Sequence, residues 1–271
     1  QAQMIGRISE AGAKRTFVDI IYRGESTAAD DAYFVRATDK ARNVTLAVAP
    51  RGTTGFEGAD LLLPTVLGKH SELGLISAHY NYQNAVWRLQ YSGLVEGRSI
   101  PSFATLLAKS GERSSKSFMI DYSIDPASIP VVSGSDVLKG RFDPRKIEGK
   151  DVVLGLATEG IDQYFIPGRG RMPGAYVQII GAETLKTGTP LYLGWLPTLL
   201  LALAVCWAAI ASKSAGRIGL LLGTAAVTLL LAPAALESNL LFLDMTPGLF
   251  AIAIVSVVLS WRRSRQRGLV N

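Results

Sequence analysis

Three aspartates and one arginine are the residues whose positions suggest ligand binding or catalysis. Asp19 interrupts an apolar run that has the character of a strand, Asp31 stands at the start of a predicted helix, and Asp162 follows another apolar run in a predicted loop. Ligands of open α/β sheets gather beyond the carboxyl ends of the strands. Asp19 and Asp162 are therefore predicted to share one crevice, with Arg88 as their counter-charge.

Two interpretations of these residues stay open. In the first, Asp19, Asp31, Arg88 and Asp162 form a ligand-binding site, or Asp19 and Asp162 are the paired carboxylates of an extracytoplasmic enzyme, which needs a raised pKa on one of them. In the second, Asp19 caps a turn, Asp31 caps its helix and Asp162 stabilises a loop. The separation of the two carboxylates, and whether they open on a shared pocket, distinguishes the enzyme from the structural interpretation.

Other kinds of site find no support in the sequence. It has no phosphate-binding loop of the form G-x-x-x-x-G-K-[ST] and no G-x-S-x-G nucleophile elbow. The spacing of His70 and His79 does not put two imidazoles on one helix face, and the single cysteine, Cys206, falls within an apolar run. No catalytic residue, metal site or cofactor is therefore predicted for this chain.

The elements that position these residues alternate between short β-rich runs and helix-like stretches. Nearly continuous apolar runs are typical of strands covered on both faces, so the pattern predicts an α/β fold with a mixed sheet. Thr27 and Asp30 resemble a capping box that opens one of the helices. The predicted strands are Phe17–Ile21, Val44–Ala49, Leu73–Ser77, Trp87–Tyr91, Phe118–Tyr122, Val131–Ser133 and Asp151–Leu156. The predicted helices are Gln3–Ala13, Asp30–Arg42, Ser102–Lys109 and Ala175–Thr187.

The last third of the chain has the pattern of a membrane unit. No charged residue occurs between Lys186 and Lys213, between Arg217 and Glu237, or between Asp244 and Arg262. A bilayer core of about 30 Å needs about 20 helical residues. The sequence therefore predicts three transmembrane helices, at about 194–212, 218–236 and 241–261, between a folded domain at 1–193 and a basic linker at 262–271.

The basic residues predict the orientation of this unit. Lys213 and Arg217 follow the first span, and a cluster of arginines follows the third, so the positive-inside rule puts both on the cytoplasmic side. The domain at 1–193 is then periplasmic or extracellular. The net charge of +6 is largely explained by this topology, and no nucleic-acid partner is predicted. Because an exported domain needs a signal or anchor, an upstream membrane helix is expected before Gln1.

Two stretches resemble the type-two CHASE family of extracytoplasmic sensory domains. The first runs from Ile8 to Pro50, with Ala11-Gly12-Ala13 followed by Phe17-Val18-Asp19-Ile20. The second, closer stretch includes Ile147-Glu148-Gly149-Lys150-Asp151, Asp162 and Pro173-Gly174-Ala175, and it closes on Lys186-Thr187-Gly188-Thr189-Pro190 before the three predicted spans. Where the family often has an Asp-rich turn before an arginine, this chain keeps only Arg88.

The resemblance implies a bacterial receptor whose periplasmic domain responds to a small-molecule or protein signal and controls a cytoplasmic output domain in the same polypeptide. The final residues, Arg267 to Asn271, are similar to the approach to a GGDEF domain. A GGDEF or EAL domain that makes or degrades cyclic di-GMP is therefore the expected output, acting as a homodimer in the inner membrane. An adenylate cyclase, a histidine kinase or a Ser/Thr kinase are the alternatives that the resemblance leaves open.

Overall fold

The computed structural model describes residues 1–22, 26–49, 67, 71–76, 78–81, 85–95, 97–156, 162–167, 169–237 and 239–268. The chain forms two compact units, Gln1–Thr189 and Pro190–Asn271. In chain order the described elements of the first unit are α1 (Ala2–Glu10), β1 (Arg15–Asp19), α2 (Ala28–Ala41), β2 (Val44–Val48), β3 (Glu72–Leu75), β4 (Ala78–Tyr80), β5 (Val86–Gln90), β6 (Ser92–Val95), β7 (Arg98–Pro101), α3 (Phe103–Ala108), β8 (Ser117–Met119), α4 (Gly134–Lys139), β9 (Asp151–Gly155), β10 (Gln163–Ile166), β11 (Gly170–Pro173) and α5 (Gly174–Thr187).

A parallel sheet organises the first unit. Within the described residues its strand order is β3-β2-β1-β9, and every neighbouring pair is parallel. Consecutive side chains of a strand point to opposite faces, and β1 shows this directly. Phe17 packs in one apolar cluster with Phe103 of α3 and Ile180 of α5, whereas Val18 packs in another with Phe34 of α2. Both faces of the sheet are therefore covered by helices.

Antiparallel pairs complete the unit. Strands β4, β5 and β8 form a second sheet, while β6–β7 and β10–β11 are separate antiparallel pairs. The Phe17 ring meets the Phe103 ring edge-on, with centroids 5.4 Å apart, and so ties the parallel sheet to α3. The predicted mixed α/β fold is confirmed, with parallel and antiparallel sheets in one unit.

Most predicted elements appear within two or three residues of their predicted bounds, and the Thr27 cap is confirmed because its side chain accepts a hydrogen bond from the Asp30 N–H. The predicted strand Val131–Ser133 is wrong: these residues pair with no strand and lead into α4. Their β-branched side chains favour a strand, but Ser133 is the N-cap of a helix that the sequence pattern missed. The hairpin β6–β7 was also not predicted.

The second unit contains β12 (Leu191–Gly194), α6 (Leu196–Ala211), α7 (Ala215–Glu237), β13 (Leu241–Leu243) and α8 (Thr246–Gly268). Small residues let its helices approach closely, since a Cβ on Gly248 would stand 2.9 Å from the carbonyl oxygen of Thr198. Ala202, Cys206 and Ala209 of α6 lie in the buried cluster between the helices. Large apolar side chains point outward instead, and Trp207 is 75% exposed.

Among the described residues, one helix is long and apolar enough to cross a membrane by length and composition, α7 at Ala215–Glu237. The prediction of three such spans is therefore supported for one span only. The first predicted span appears as α6, an apolar helix of 16 residues that is short for a bilayer. The third lies in α8, which runs on through Arg262, Arg263 and Arg265.

Candidate functional site

The candidate site lies where the parallel sheet reverses its order. From β1 the chain passes through α2 to β2, and α2 packs on the face of the sheet that carries Val18. β9 lies on the other side of β1, and the chain after β9 leads to α5 on the opposite face. In open α/β sheets, ligands bind outside the carboxyl ends of the strands at such a switch point. Asp19 ends β1 there, and Asp162 follows β9.

Asp19 is a buried carboxyl group, and no cation is among the described groups that shift its pKa. Its residue is 5% exposed, and its Oδ2 accepts no hydrogen bond from the described residues. Burial, and to a smaller extent the negative charge of Asp162, raise the pKa of the Asp19 carboxyl to about 7. A buried carboxylate without a partner is unfavourable, so this group takes up a proton far more readily than an aspartate in water.

Asp162 is the second carboxyl group, and two tyrosines accompany it. Its backbone adopts a left-handed φ of 52°, which aspartate tolerates better than most residues. Burial raises the pKa of Asp162, while hydrogen bonds from the Tyr164 hydroxyl and the Gly174 N–H oppose that shift by stabilising the charged form. The Tyr164 ring stacks on Tyr80 with centroids 6.0 Å apart, and the two hydroxyl groups share a hydrogen bond. Hydrogen bonds thus connect Tyr80, Tyr164 and Asp162.

Two glycines let α5 approach the strand ends at this point. A Cβ on Gly155, the last residue of β9, would stand 2.6 Å from the Cβ of Ala175. A Cβ on Gly174, the first residue of α5, would stand 2.6 Å from Asp162 Oδ2 and 2.8 Å from the Tyr164 ring. The beginning of α5 is therefore held against both the end of β9 and the carboxyl group of Asp162.

The site is closed around its polar groups. The cavity between Asp19, Tyr164, Gly174 and Gln178 has no space for a water molecule. Gln178 is held by two hydrogen bonds, since its Oε1 accepts from Ala104 N–H at 3.2 Å and its Nε2 donates to the Ile76 carbonyl at 3.3 Å. Such an arrangement can hold or release a proton. Among the described residues, no three His, Cys, Asp or Glu side chains come together as metal ligands.

The structure brings two of the four predicted site residues together and places the other two elsewhere. Asp19 and Asp162 are close enough for the charge of Asp162 to raise the pKa of Asp19. Arg88 is exposed on β5 of the antiparallel sheet, opposite His79 and Met119, and it is not among the groups that shift the pKa of Asp19. Asp31 lies in the first turn of α2, where its carboxylate accepts the Ser26 N–H at 3.4 Å. A ligand-binding role for these residues stays a prediction.

The group of polar residues around Asp19 and Asp162, called the Asp19–Asp162 cluster below, also includes Tyr80, Tyr164 and Gln178. Nothing in the sequence pattern singles out these three residues. Tyr164 lies two residues after Asp162, so its proximity is local. Tyr80 and Gln178 reach the site only through the packing of β4 and α5. His70, considered as a metal ligand from sequence, lies outside the described residues.

Comparison with models of known protein families shows which family the chain belongs to. The family model of the CHASE2 domain matches residues 1–212. The chain belongs to the CHASE2 domain family. Comparison with curated proteins and with solved structures gives no match for this CHASE2 chain.

CHASE2 domains are extracytoplasmic sensory domains of signalling proteins, so this chain carries the sensory part of such a protein. The match extends one residue past the end of α6 and therefore includes the whole first unit and the first apolar helix of the second. With α7 as a candidate span, the chain has the composition of a membrane-anchored sensor. The sensory unit of this CHASE2 chain is the one that holds the Asp19–Asp162 cluster.

Adding one methyl group at Gly174 tests how tightly the cluster is packed. We expect Gly174→Ala to destabilise the first unit by about 1–3 kcal/mol, because the new Cβ overlaps the Asp162 carboxylate and the Tyr164 ring. Gly6→Ala in α1 is the matched control, since its Cβ meets nothing within 4 Å and alanine favours a helix. Urea unfolding followed by pulse proteolysis measures both variants. Equal stabilities of the two would contradict the close packing.

Proposed function

We propose that this chain is the sensing and relay part of a bacterial receptor in the cytoplasmic membrane. Its first unit lies outside the membrane and binds a signal, and its apolar helices transmit the change to a cytoplasmic output domain in the same polypeptide. The observation that carries the proposal is the CHASE2 match over residues 1–212, which continues without a break from the α/β unit into α6. The chain performs no catalysis of its own in this proposal.

The second unit supports a membrane relay by the distribution of its residues. α7 is 23 residues long, enough to cross the bilayer core, and the outward faces of α6 and α8 carry exposed large apolar side chains. We propose that α6 and α8 also span, with the largely exposed and apolar side chains of Leu191–Trp195 lying in the membrane just before α6. Three spans leave the two ends of the unit on opposite sides of the membrane.

Charges near the helix ends support one orientation. Lys213 and Arg217 flank the α6–α7 connection, and Arg262, Arg263 and Arg265 lie in the last turns of α8. Glu237 and Asp244 flank the opposite connection, which has no lysine or arginine. By the positive-inside rule the basic ends are cytoplasmic, and the first unit is outside.

The relay acts by shifting a population between two arrangements of the sensory unit. A signal changes the output only if it binds one arrangement more tightly than the other. We propose cyclic di-GMP turnover by a GGDEF or EAL domain as the output, on the resemblance of the sequence, and a homodimer as the signalling form. The same sensor with an adenylate cyclase, a histidine kinase or a Ser/Thr kinase is the alternative.

The test compares the complete protein with a form that lacks Gln1–Thr187, both expressed in a bacterial membrane. We expect cellular cyclic di-GMP to change by about fivefold or more, the lower range of ordinary allosteric coupling, because the relay loses its input. Measuring cyclic AMP and phosphorylation in the same cells separates the alternative outputs. Unchanged output of every kind under all growth conditions would contradict the sensor.

Reporter fusions test the proposed membrane orientation independently of the output measurement. Green fluorescent protein is expected to fluoresce when it is joined at the α6–α7 connection, and alkaline phosphatase is expected to be active when it is joined after Glu237, at the α7–α8 connection. The opposite pattern would overturn the orientation even if deletion of the first unit changes the output.

A further inference from the structure

A groove of the first unit runs along the outer edge of β9. It has a volume of about 1090 Å³, slightly above the usual range for ligand pockets. One wall is α5, represented by Tyr176 and Ile179, and the other includes Met4 and Ile8 of α1. The extended segment Ile129–Val132 also borders it. The groove is separate from the Asp19–Asp162 cluster, because the two share no lining residue.

Strand β9 presents unpaired backbone groups to this groove. On one side it pairs with β1 from Asp151 to Gly155, and on its other side no described residue pairs with it. Alternate residues of a parallel strand direct their N–H and C=O groups to opposite sides, so about half of these groups face the groove. Every residue of β9 is only partly buried. An open edge of this kind is a template for another strand.

Apolar side chains flank that open edge. Val131 is 60% exposed and Leu156 is 41% exposed, and both line the groove beside Val152 and Leu154. Covering such side chains is favourable because it removes apolar surface from water. An occupant that pairs with the backbone of β9 and also covers these side chains has the chemistry of an extended peptide with apolar residues. An alkyl chain would cover the side chains but would leave the N–H and C=O groups of β9 without partners.

Among the described residues, the charged side chains of the groove that have no ion-pair partner are two lysines, and both lie at one end. Among the lining residues, Asp151 is held by Arg15 at 2.6 Å and Glu183 by Lys186 at 2.7 Å. Lys146 and Lys150 form no ion pair within the described part of the chain. They stand just before β9 and close to Asp143, which Arg145 already binds at 2.9 Å. The beginning of β9 is therefore the end of the groove that favours an anion.

We propose that the groove binds the carboxyl-terminal segment of a polypeptide as a strand antiparallel to β9. In that direction the last residue of the peptide lies beside the beginning of β9, where its carboxylate meets Lys146 and Lys150. Strand addition to an exposed edge gives affinity through the backbone, and the flanking apolar side chains select the residues of the peptide. This deepens the proposed function, on which it rests, by naming an extracytoplasmic peptide end as the signal.

A second copy of the chain is a poorer occupant for the groove. If two β9 strands paired antiparallel about a two-fold axis, Lys150 of each copy would face the Gly155–Leu156 end of the other. No carboxylate would then meet the two lysines, and their charges would lie at both ends of the joined strands. Charge complementarity therefore favours the peptide end over self-pairing.

Peptide binding to the full chain in lipid nanodiscs tests the proposal without any output domain and without detergent in the groove. The probe is a fluorescent six-residue peptide of alternating threonine and valine with a free carboxyl group. We expect its amidated form to bind about tenfold or more weakly, since a charge-assisted contact is lost. A peptide of alternating proline and valine is expected not to bind, because proline cannot complete the strand pairing.

Variants of the exposed lysines keep the test independent of folding. Lys146→Gln with Lys150→Gln is expected to weaken the free-acid peptide about tenfold and to leave the amide unchanged. Lys139→Gln, an exposed lysine on α4 outside the groove lining, is the matched control and is expected to have no effect. Hydrogen exchange is expected to show protection of β9 amides when the peptide is bound.

Several outcomes would overturn this inference. If the free-acid and amidated peptides bind equally well, the peptide carboxylate makes no contact with the two lysines. If a peptide binds without protecting the β9 amides from exchange, it does not pair with β9. Concentration-dependent dimerisation that protects β9 without any peptide would assign the groove to a second copy. No binding of any peptide, with the fold intact, rejects the peptide site but leaves the deletion test of the sensor unaffected.

Discussion

Replacing Asp19 with asparagine is expected to stabilise the first unit, and to do so more at pH 8 than at pH 5. In the folded chain, burial and the charge of Asp162 raise the pKa of Asp19 to about 7, above its ordinary value of 3.8. At a pH between these two pKa values, the folded state therefore keeps a proton that the unfolded state has released. Stability is then lost as the pH rises from the unfolded towards the folded pKa. Asparagine stays uncharged and avoids that loss.

The size of this effect follows from the slope of linkage. A group that is protonated only in the folded state costs about 1.4 kcal/mol of stability for each unit that the pH rises. Between pH 5 and pH 8 the advantage of Asp19→Asn is therefore expected to grow by on the order of 2 kcal/mol. Pulse proteolysis in urea measures the stability of the first unit at each pH.

Asp162→Asn separates the two causes of the shift in the Asp19 pKa. It removes the charge of Asp162 but leaves Asp19 buried, so the pH dependence is expected to weaken without disappearing. Burial is the larger cause, and it remains in this variant. An advantage of Asp19→Asn that is the same at pH 5 and pH 8 would show that the Asp19 carboxylate is already stabilised in the folded chain.

That Asp19 and the end of β9 lie at the same edge of the sheet could be predicted because it follows from a rule about strands. Asp19 and Asp162 come at or after the carboxyl end of an apolar run, and parallel strands bring such ends to one edge of the sheet. The position of Arg88 could not be predicted in the same way. Alternating polarity located β5 correctly, but local sequence does not specify which sheet a strand joins. The structure puts β5 in the antiparallel sheet, whereas Asp19 ends a strand of the parallel one.

The edge position of β9, which opens the groove, also could not be predicted from sequence patterns. Asp151–Leu156 has the continuous apolar character of a strand covered on both faces, and that part of its interpretation is correct. Nothing in the run indicates that β9 is the last strand of the sheet, because edge position depends on where distant segments pair. Val131–Ser133, predicted to be a strand, has the β-branched residues for pairing and borders the groove, but it pairs with nothing among the described residues.

In the second unit, charge-free intervals locate the apolar runs but not the ends of the helices. The interval after Lys186 is long enough for a span, yet β12 occupies Leu191–Gly194 and α6 begins only at Leu196. The Leu241–Leu243 part of the third predicted span is a short strand, β13, paired with β12. Strand pairing between distant segments has no signature in hydropathy, which is why only α7 matches its predicted span closely.

Replacing Arg15 with methionine is expected to cost about 3 kcal/mol in the stability of the first unit. Its guanidinium donates to both carboxylate oxygens of Asp151, at 2.9 and 2.6 Å, and to the carbonyl oxygens of Leu106 and Leu107, at 2.7 and 3.2 Å. One side chain thus joins the beginnings of β1 and β9 to the end of α3. Methionine keeps much of the apolar volume over the Phe17 ring but leaves a partly buried carboxylate and two carbonyl groups unpaired.

A double-mutant cycle distinguishes the ion pair from the helix contacts. Asp151→Asn alone is expected to cost less than Arg15→Met, since the arginine keeps its bonds to Leu106 and Leu107. Adding Asp151→Asn to Arg15→Met is expected to recover part of the loss, because no unpaired carboxylate then remains. Arg15→Lys is expected to fall between the wild type and Arg15→Met, since an ammonium group cannot form the two parallel bonds. A lysine variant as stable as the wild type would contradict the role of this geometry.

The same cycle connects the stability of the sheet to the peptide groove. In Arg15→Met, the freed carboxylate of Asp151 stands one residue from Lys150 and adds a negative charge at the end of the groove that favours anions. Affinity for the free-acid peptide is therefore expected to fall while affinity for the amide does not, and Asp151→Asn in the same chain is expected to restore the difference. Loss of both affinities together would mean instead that Arg15 supports the groove only by holding β9 in place.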